Sequence, residues 1–285
     1  ARLVVAISGL VHALQRERGA SGIFAGSSGS RFRDQRERLL ADIDGERGAF
    51  DALLTALASE ASVMHAGNRL LSRMAIAIHQ LGQVDAFRGR VAALEVSHDE
   101  VNQFYTELIR ALLAVVFEAA DSASDPEITR ALVALFHFMQ GKELAGQERA
   151  LGGMRLASGQ FSNTLAQRAG MLVDGQERCF EIFSHFADDA ALQLWRQHVA
   201  NRSLEDIRRL RCIICSPCRD HQRDADLSEE WFAVCTQRID AMKQVEDALE
   251  RAVQQTSEIR LAAARQDLDH YRRDVLAIRD IEKLP

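Results

Sequence analysis

Apolar residues recur through most of this chain at the spacing of an amphipathic helix, and two of the stripes they form run into arginine. Leu3, Ile7, Leu10 and Leu14 share one helical face, and the next residue on that face is Arg18. Ile128, Leu132, Leu135 and Met139 make a second stripe, which reaches Arg149 when extended at about 3.6 residues per turn. The stripes are interrupted by small-residue clusters at Gly26–Ser30, Gly152–Gly159 and Ser216–Asp220. Softer breaks fall near Ser59–Asn68, Val96–Asp99, Ser122–Pro126 and Gly170–Gly175. Asp125 followed by Pro126 reads as an N-cap and first helical residue. About eight helices result on this pattern, in two groups of four.

The stretch from Leu227 to Leu284 contains neither Gly nor Pro, so it can run as one helix of roughly 85 Å, or as two helices with an unsignalled turn. Near its end Leu261, Leu268 and Val275 stand seven apart, with Ala264, Tyr271 and Ile278 at the intervening positions. That is the seam of a short coiled coil, and it points to a homodimer. The expected fold class is therefore all-α: two four-helix bundles followed by a long C-terminal helix. The expected division is residues 1–124, residues 125–256, and a helical linker over 257–285.

Composition fits this pattern. Ala, Leu, Arg, Glu and Gln abound, while only three of the 285 residues are proline and 6% are aromatic, which favours helix throughout. A net charge of -6 argues against a dedicated nucleic-acid surface in this segment. No apolar run approaches the ~20 residues that span a bilayer, and the start lacks a signal-peptide layout, so a cytoplasmic protein without membrane contact is expected. The chain starts at Ala1 without methionine and stops at Pro285 directly after a helical pattern, so a piece of a longer protein is expected.

A weak internal echo accompanies the two stripes. ERGA occurs at Glu17 and again 29 residues later at Glu46; GQER occurs at Gly146 and again 29 residues later at Gly175. Arg18 and Arg149, like Arg47 and Arg178, are separated by 131 residues. This spacing fits either two related bundles or chance recurrence of common helix formers.

A guanidinium keeps its charge, so an arginine on a buried stripe needs an anion, supplied by a glutamate of the protein or by a ligand. Glycines beside both arginines suggest turns at helix ends where backbone approaches a small ligand. The cysteines are a competing signal: Cys212, Cys215 and Cys218 are spaced three apart, with His221 following and Cys235 further on. That density suits zinc or an iron–sulfur cluster, redox-sensitive thiols, or simple packing on one helix face. No phosphate-binding loop, dinucleotide fingerprint or nucleophile elbow is present, and an enzyme is not expected.

The run LQRERGAS at Leu14–Ser21 and the run FMQGKELAGQERALGGMRLASGQFS at Phe138–Ser162 resemble the two signature segments of the NIT domain, a nitrate- and nitrite-sensing module. The second is especially similar to the version in NasR-type nitrate-responsive transcription antiterminators. The resemblance implies a pair of helical bundles in which one arginine from each segment binds nitrate, by position Arg18 and Arg149. Arg47 and Arg178 do not match its motif. It implies no cofactor, and no cluster at the cysteines. It further implies that an RNA-binding ANTAR domain beyond this chain acts on leader RNA to promote antitermination. The alternatives are the same sensor in a chemoreceptor or histidine kinase, and a cysteine-based redox or metal sensor.

Overall fold

The computed structural model describes residues 1–59, 67–158, 162–199, 203–215 and 225–281, and all regular elements among them are helices. In chain order these are α1 (Arg2–Gly26), α2 (Arg33–Ser59), α3 (Asn68–Leu81), α4 (Val84–Ala92), α5 (His98–Asp121), α6 (Pro126–Ser158), α7 (Asn163–Phe186), α8 (Asp189–His198), α9 (Ser203–Ile214) and α10 (Ala225–Ile281). The all-α expectation holds. The first half is built on α1, α2, α3 and α5, and the second on α6, α7 and α10, with short α8 and α9 lying against α10.

Local chemistry sets the boundaries. Ser97 caps α5 in a reciprocal box with Glu100: the Ser97 hydroxyl accepts from the Glu100 amide, and the Glu100 carboxylate accepts from the Ser97 amide. Asp188 and Ser162 cap α8 and α7 through their side-chain oxygens. The expected cap at α6 is present, with Asp125 Oδ1 accepting from the amides of Glu127 and Ile128. After α1 the chain reverses through Ser28, Gly29 and Phe32, all at positive φ; Gly29, at +79°, is the residue suited to that region.

Three expectations are corrected. α7 passes unbroken through Gly170–Gly175, because Ala169, Leu172 and Gln176 bury one face there and Gly175 makes room for the Leu144 side chain of α6. α6 likewise continues through Gly152 and Gly153 to Ser158. A side chain on Gly152 would lie 2.5 Å from the Trp231 indole, so this glycine is a seat for an aromatic ring and not a helix stop. The glycine cost of about 1 kcal/mol relative to alanine is offset by the packing it permits. The region between Ser59 and Val96 holds two helices, α3 and α4, divided at Gly82 and Gln83, so the described helices number ten where about eight were expected.

One apolar core joins the two halves. It takes Ile7, Leu10 and Leu14 from α1, Tyr105, Leu108 and Leu112 from α5, Leu132, Leu135 and Phe138 from α6, and Met242, Val245 and Leu249 from α10. A smaller cluster around Trp231 closes the other end between α6, α7, α9 and α10. α10 is a single helix, about 85 Å long at 1.5 Å per residue. It is buried as far as Val253 and then leaves the body, with Ile259, Leu261, Leu268 and Tyr271 exposed. Arg260 pairs with Asp125 at 2.6 Å near this exit. Among the described residues no helix is long and apolar enough to cross a membrane.

Candidate functional site

The end of the inter-half contact nearest α1's C-terminus is polar. Gln15 and Arg18 of α1 face Glu143 of α6, with Arg149 further along α6; the first three are buried and Arg149 is half-buried. Arg18, 4% exposed, forks onto Glu143 with Nη1–Oε1 at 2.5 Å and Nη2–Oε2 at 3.1 Å, and donates a further bond to Thr106 Oγ1 at 3.0 Å. Glu143 also accepts from Gln15 Nε2 at 2.9 Å and Gln147 Nε2 at 2.8 Å. This arrangement gives both oxygens of a buried carboxylate hydrogen-bond donors.

Arg149 is held differently. Its Nη1 donates to Thr236 Oγ1 at 3.0 Å, its guanidinium lies 4.9 Å from the centre of the Phe232 ring, and its carbonyl accepts from the Trp231 indole at 2.9 Å. All three partners are on α10. Among the described residues no carboxylate lies within ion-pair distance of it. Burial, and then the nearby Arg18 charge, push its pKa below the ordinary arginine value.

The two arginines meet across the helices in a reciprocal way. A side chain built on Gly19, next to Arg18, would lie 3.2 Å from Arg149 Nη2, and one built on Gly146, one turn before Arg149, would lie 2.9 Å from Arg18 Nη2. Each guanidinium thus rests on the other helix's glycine. These glycines are in the middle of helices, correcting the expectation of turns at helix ends: what matters is the missing side chain, not a bend. Gly22 and Gly26 continue the strip on α1 and Gly153 on α6, and together with both arginines they line a cleft of about 730 Å³. Its far wall includes Phe232 and Ala233 of α10 and His98 of α5. Asn102 donates to His98 Nε2 at 2.7 Å, so His98 Nδ1–H donates to the Gly22 carbonyl at 2.9 Å. That fixes α5 against the glycine strip.

Sequence reasoning identified the two arginines but neither Glu143 nor the partners Thr106, Thr236 and Phe232. The glycines at i, i+3 and i+7 were a visible signal; the acceptors were not. The repeated arginines diverge: Arg47 makes a surface pair with Asp85 at 2.8 Å, and Arg178 is exposed.

A second buried network lies nearby, with Glu148 receiving Arg211 in a fork at 2.7 and 2.8 Å and Gln176 at 2.7 Å. Arg238, 6% exposed, bonds to Gln176 Oε1 at 2.9 Å, and burial lowers its pKa to about 10. Of the candidate metal ligands, Cys212 is exposed and Cys215 half-buried at the end of α9, while Cys218 and His221 lie outside the described residues. Burial pushes the Cys215 and Cys235 thiols above their usual pKa, which lowers their thiolate fraction and reactivity.

Residues 9–254 match the nitrate and nitrite sensing (NIT) family. The chain is 37% identical over 244 residues to the nitrate regulatory protein of Klebsiella oxytoca, covering 85% of this chain and 59% of that protein's length. The solved structure of the NasR transcription antiterminator superposes with a TM-score of 0.83 at 36% identity, over 93% of this chain and 71% of that one. Both relatives are regulatory proteins.

Proposed function

The chain belongs to the nitrate- and nitrite-sensing NIT family, and from that premise we propose that Arg18 and Arg149 together bind nitrate or nitrite as the input of a regulatory protein. The observation that carries this is the reciprocal seating of the two guanidinium groups on Gly19 and Gly146 at the floor of one cleft. Like charges held together across two helices repel, and an anion between them removes that penalty. Nitrate is planar, with a single charge and three acceptor oxygens, so it matches guanidinium N–H groups better than a spherical halide does. Nitrite can make part of the same set. The ligand needs no cofactor.

Arg149 supports the output half of this reading, because its side chain and carbonyl touch Thr236, Phe232 and Trp231 of α10. A ligand that draws Arg149 toward Arg18 pulls on the helix that leaves the body. Ligand binding shifts the placement of α10 only to the extent that one placement binds it more tightly. In the whole protein, α10 leads to an effector domain outside this chain that acts on leader RNA in antitermination, in the cytoplasm. The exposed residues Leu261, Leu268 and Tyr271 form the contact of a homodimer.

The test is thermal unfolding with nitrate, nitrite, chloride and sulfate at matched ionic strength. Nitrate at 100 times its dissociation constant is expected to stabilise by about 2.7 kcal/mol. The gain should disappear in Arg18→Ala and Arg149→Ala. No nitrate-specific shift in folded wild type, or an undiminished shift in both variants, removes the proposal.

A further inference from the structure

Glu143 bears on which anions the cleft accepts. It does not line the cleft; it sits behind Arg18, 2% exposed, and takes four hydrogen bonds from Gln15, Arg18 and Gln147. Arg18 therefore reaches the cleft with its charge already matched from behind, while Arg149 forms no ion pair with a carboxylate among the described residues, and Asp240 and Glu143 favour its charge only from beyond ion-pair distance. Two positive charges and one negative leave a single positive charge at the floor. The other charged residues at the cleft, Arg31, Asp99 and Glu229, are exposed at its mouth, where solvent and salt screen them.

Resting on the nitrate reading above, we propose that Glu143 is the specificity-determining residue of the site, a built-in counter-charge that matches the cleft to monovalent anions and excludes divalent ones. A bound nitrate brings the buried floor to neutrality. Sulfate or hydrogen phosphate in its divalent form leaves one negative charge without a partner in a poorly solvated place, and such a charge is costly. Without Glu143 the floor carries two positive charges and matches sulfate instead. Thr106 and Thr236, which orient the arginines, are uncharged and do not alter this balance.

The experiment is calorimetric titration of the purified chain with sodium nitrate and sodium sulfate at constant ionic strength in chloride. Wild type should bind nitrate at least about tenfold more tightly than sulfate, since unit charges a few ångströms apart in protein interact by well over the thermal energy. Glu143→Gln, which keeps shape and one acceptor, should move the nitrate-to-sulfate ratio toward sulfate by about tenfold or more. Gln147→Glu, which adds a negative charge beside Glu143, should weaken nitrate by about tenfold; it serves independently if Glu143→Gln does not fold. Comparable nitrate and sulfate affinities in wild type, a folded Glu143→Gln with the wild-type ratio, or undiminished nitrate binding in Gln147→Glu each overturn the proposal. A wild type that binds no nitrate at all instead removes the underlying sensor reading, and is seen before any variant is made.

Discussion

At the scale of single residues, the site depends as much on missing side chains as on present ones. Gly19 and Gly146 bring two guanidinium groups onto opposing helices, and Gly152 does the same for the Trp231 ring, whose indole holds the Arg149 carbonyl. Gly152→Ala places a methyl group 2.5 Å from that ring. Because Trp231 is fully buried, it has no room to yield without moving α10. The variant is expected to lose about 1–3 kcal/mol by overpacking, measured by denaturant unfolding, where its preserved helical propensity alone predicts a gain of up to about 1 kcal/mol. A stabilised variant would mean that Trp231 does not sit on this glycine. The arginines were legible as charges on apolar stripes. Their neighbours were not, because one turn of helix offers several glutamates and periodicity does not say which one faces a residue 125 positions away.

Among the elements, α10 carries two distinct faces in sequence. As far as Val253 it is a core helix shared with α1 and α6; from Ile259 its apolar residues face solvent. The change of frame between Met242, Val245 and Leu249 and the later seam of Leu261 and Leu268 marks the transition in the sequence itself. Leu261→Lys with Leu268→Lys should leave the unfolding free energy of the body within about 0.5 kcal/mol of wild type, as expected of exposed positions. The same pair of changes should shift the molecule toward monomer in analytical ultracentrifugation. An unchanged sedimentation profile in a dimeric protein would place the dimer contact elsewhere. The helix breaks at Gly152 and Gly175 were misread because a glycine inside a helix can be a seat for a neighbouring side chain, here Trp231 and Leu144; Gly170 has nothing packed on it and stays helical with the rest of α7.

Across the whole molecule, a buried polar seam accompanies the apolar core where the two halves meet. It includes the fully buried pair Lys142–Glu246 at 2.7 Å, with His12 of α1 beside it. His12 is half-buried, and burial first, then the Lys142 charge, hold its pKa down to about 3; Glu246 opposes this, while Lys243 and Arg16 add to it. Its folded pKa is below the unfolded value, so its contribution is complete above about pH 6.5 and is lost as the pH falls from there toward 3. Between pH 7 and 5 this costs about 2 kcal/mol. His12→Gln should therefore lose about that much less than wild type over the same interval in urea titrations. Equal losses in the two proteins would show that His12 accepts its proton within the fold.

The sequence by itself determined the helical character, the capped helix starts and the two arginines on apolar stripes, because periodicity, caps and side-chain charge act over a few residues; that the final segment is one helix was settled only by the structure. The NIT signature segments are likewise local. Only the tertiary structure decided that Arg18 is already paired with Glu143, that Arg149 is tied to α10, and that each arginine lies on the other's glycine. Those outcomes depend on which faces of α1, α6 and α10 meet, and that is set by packing between segments far apart in the chain.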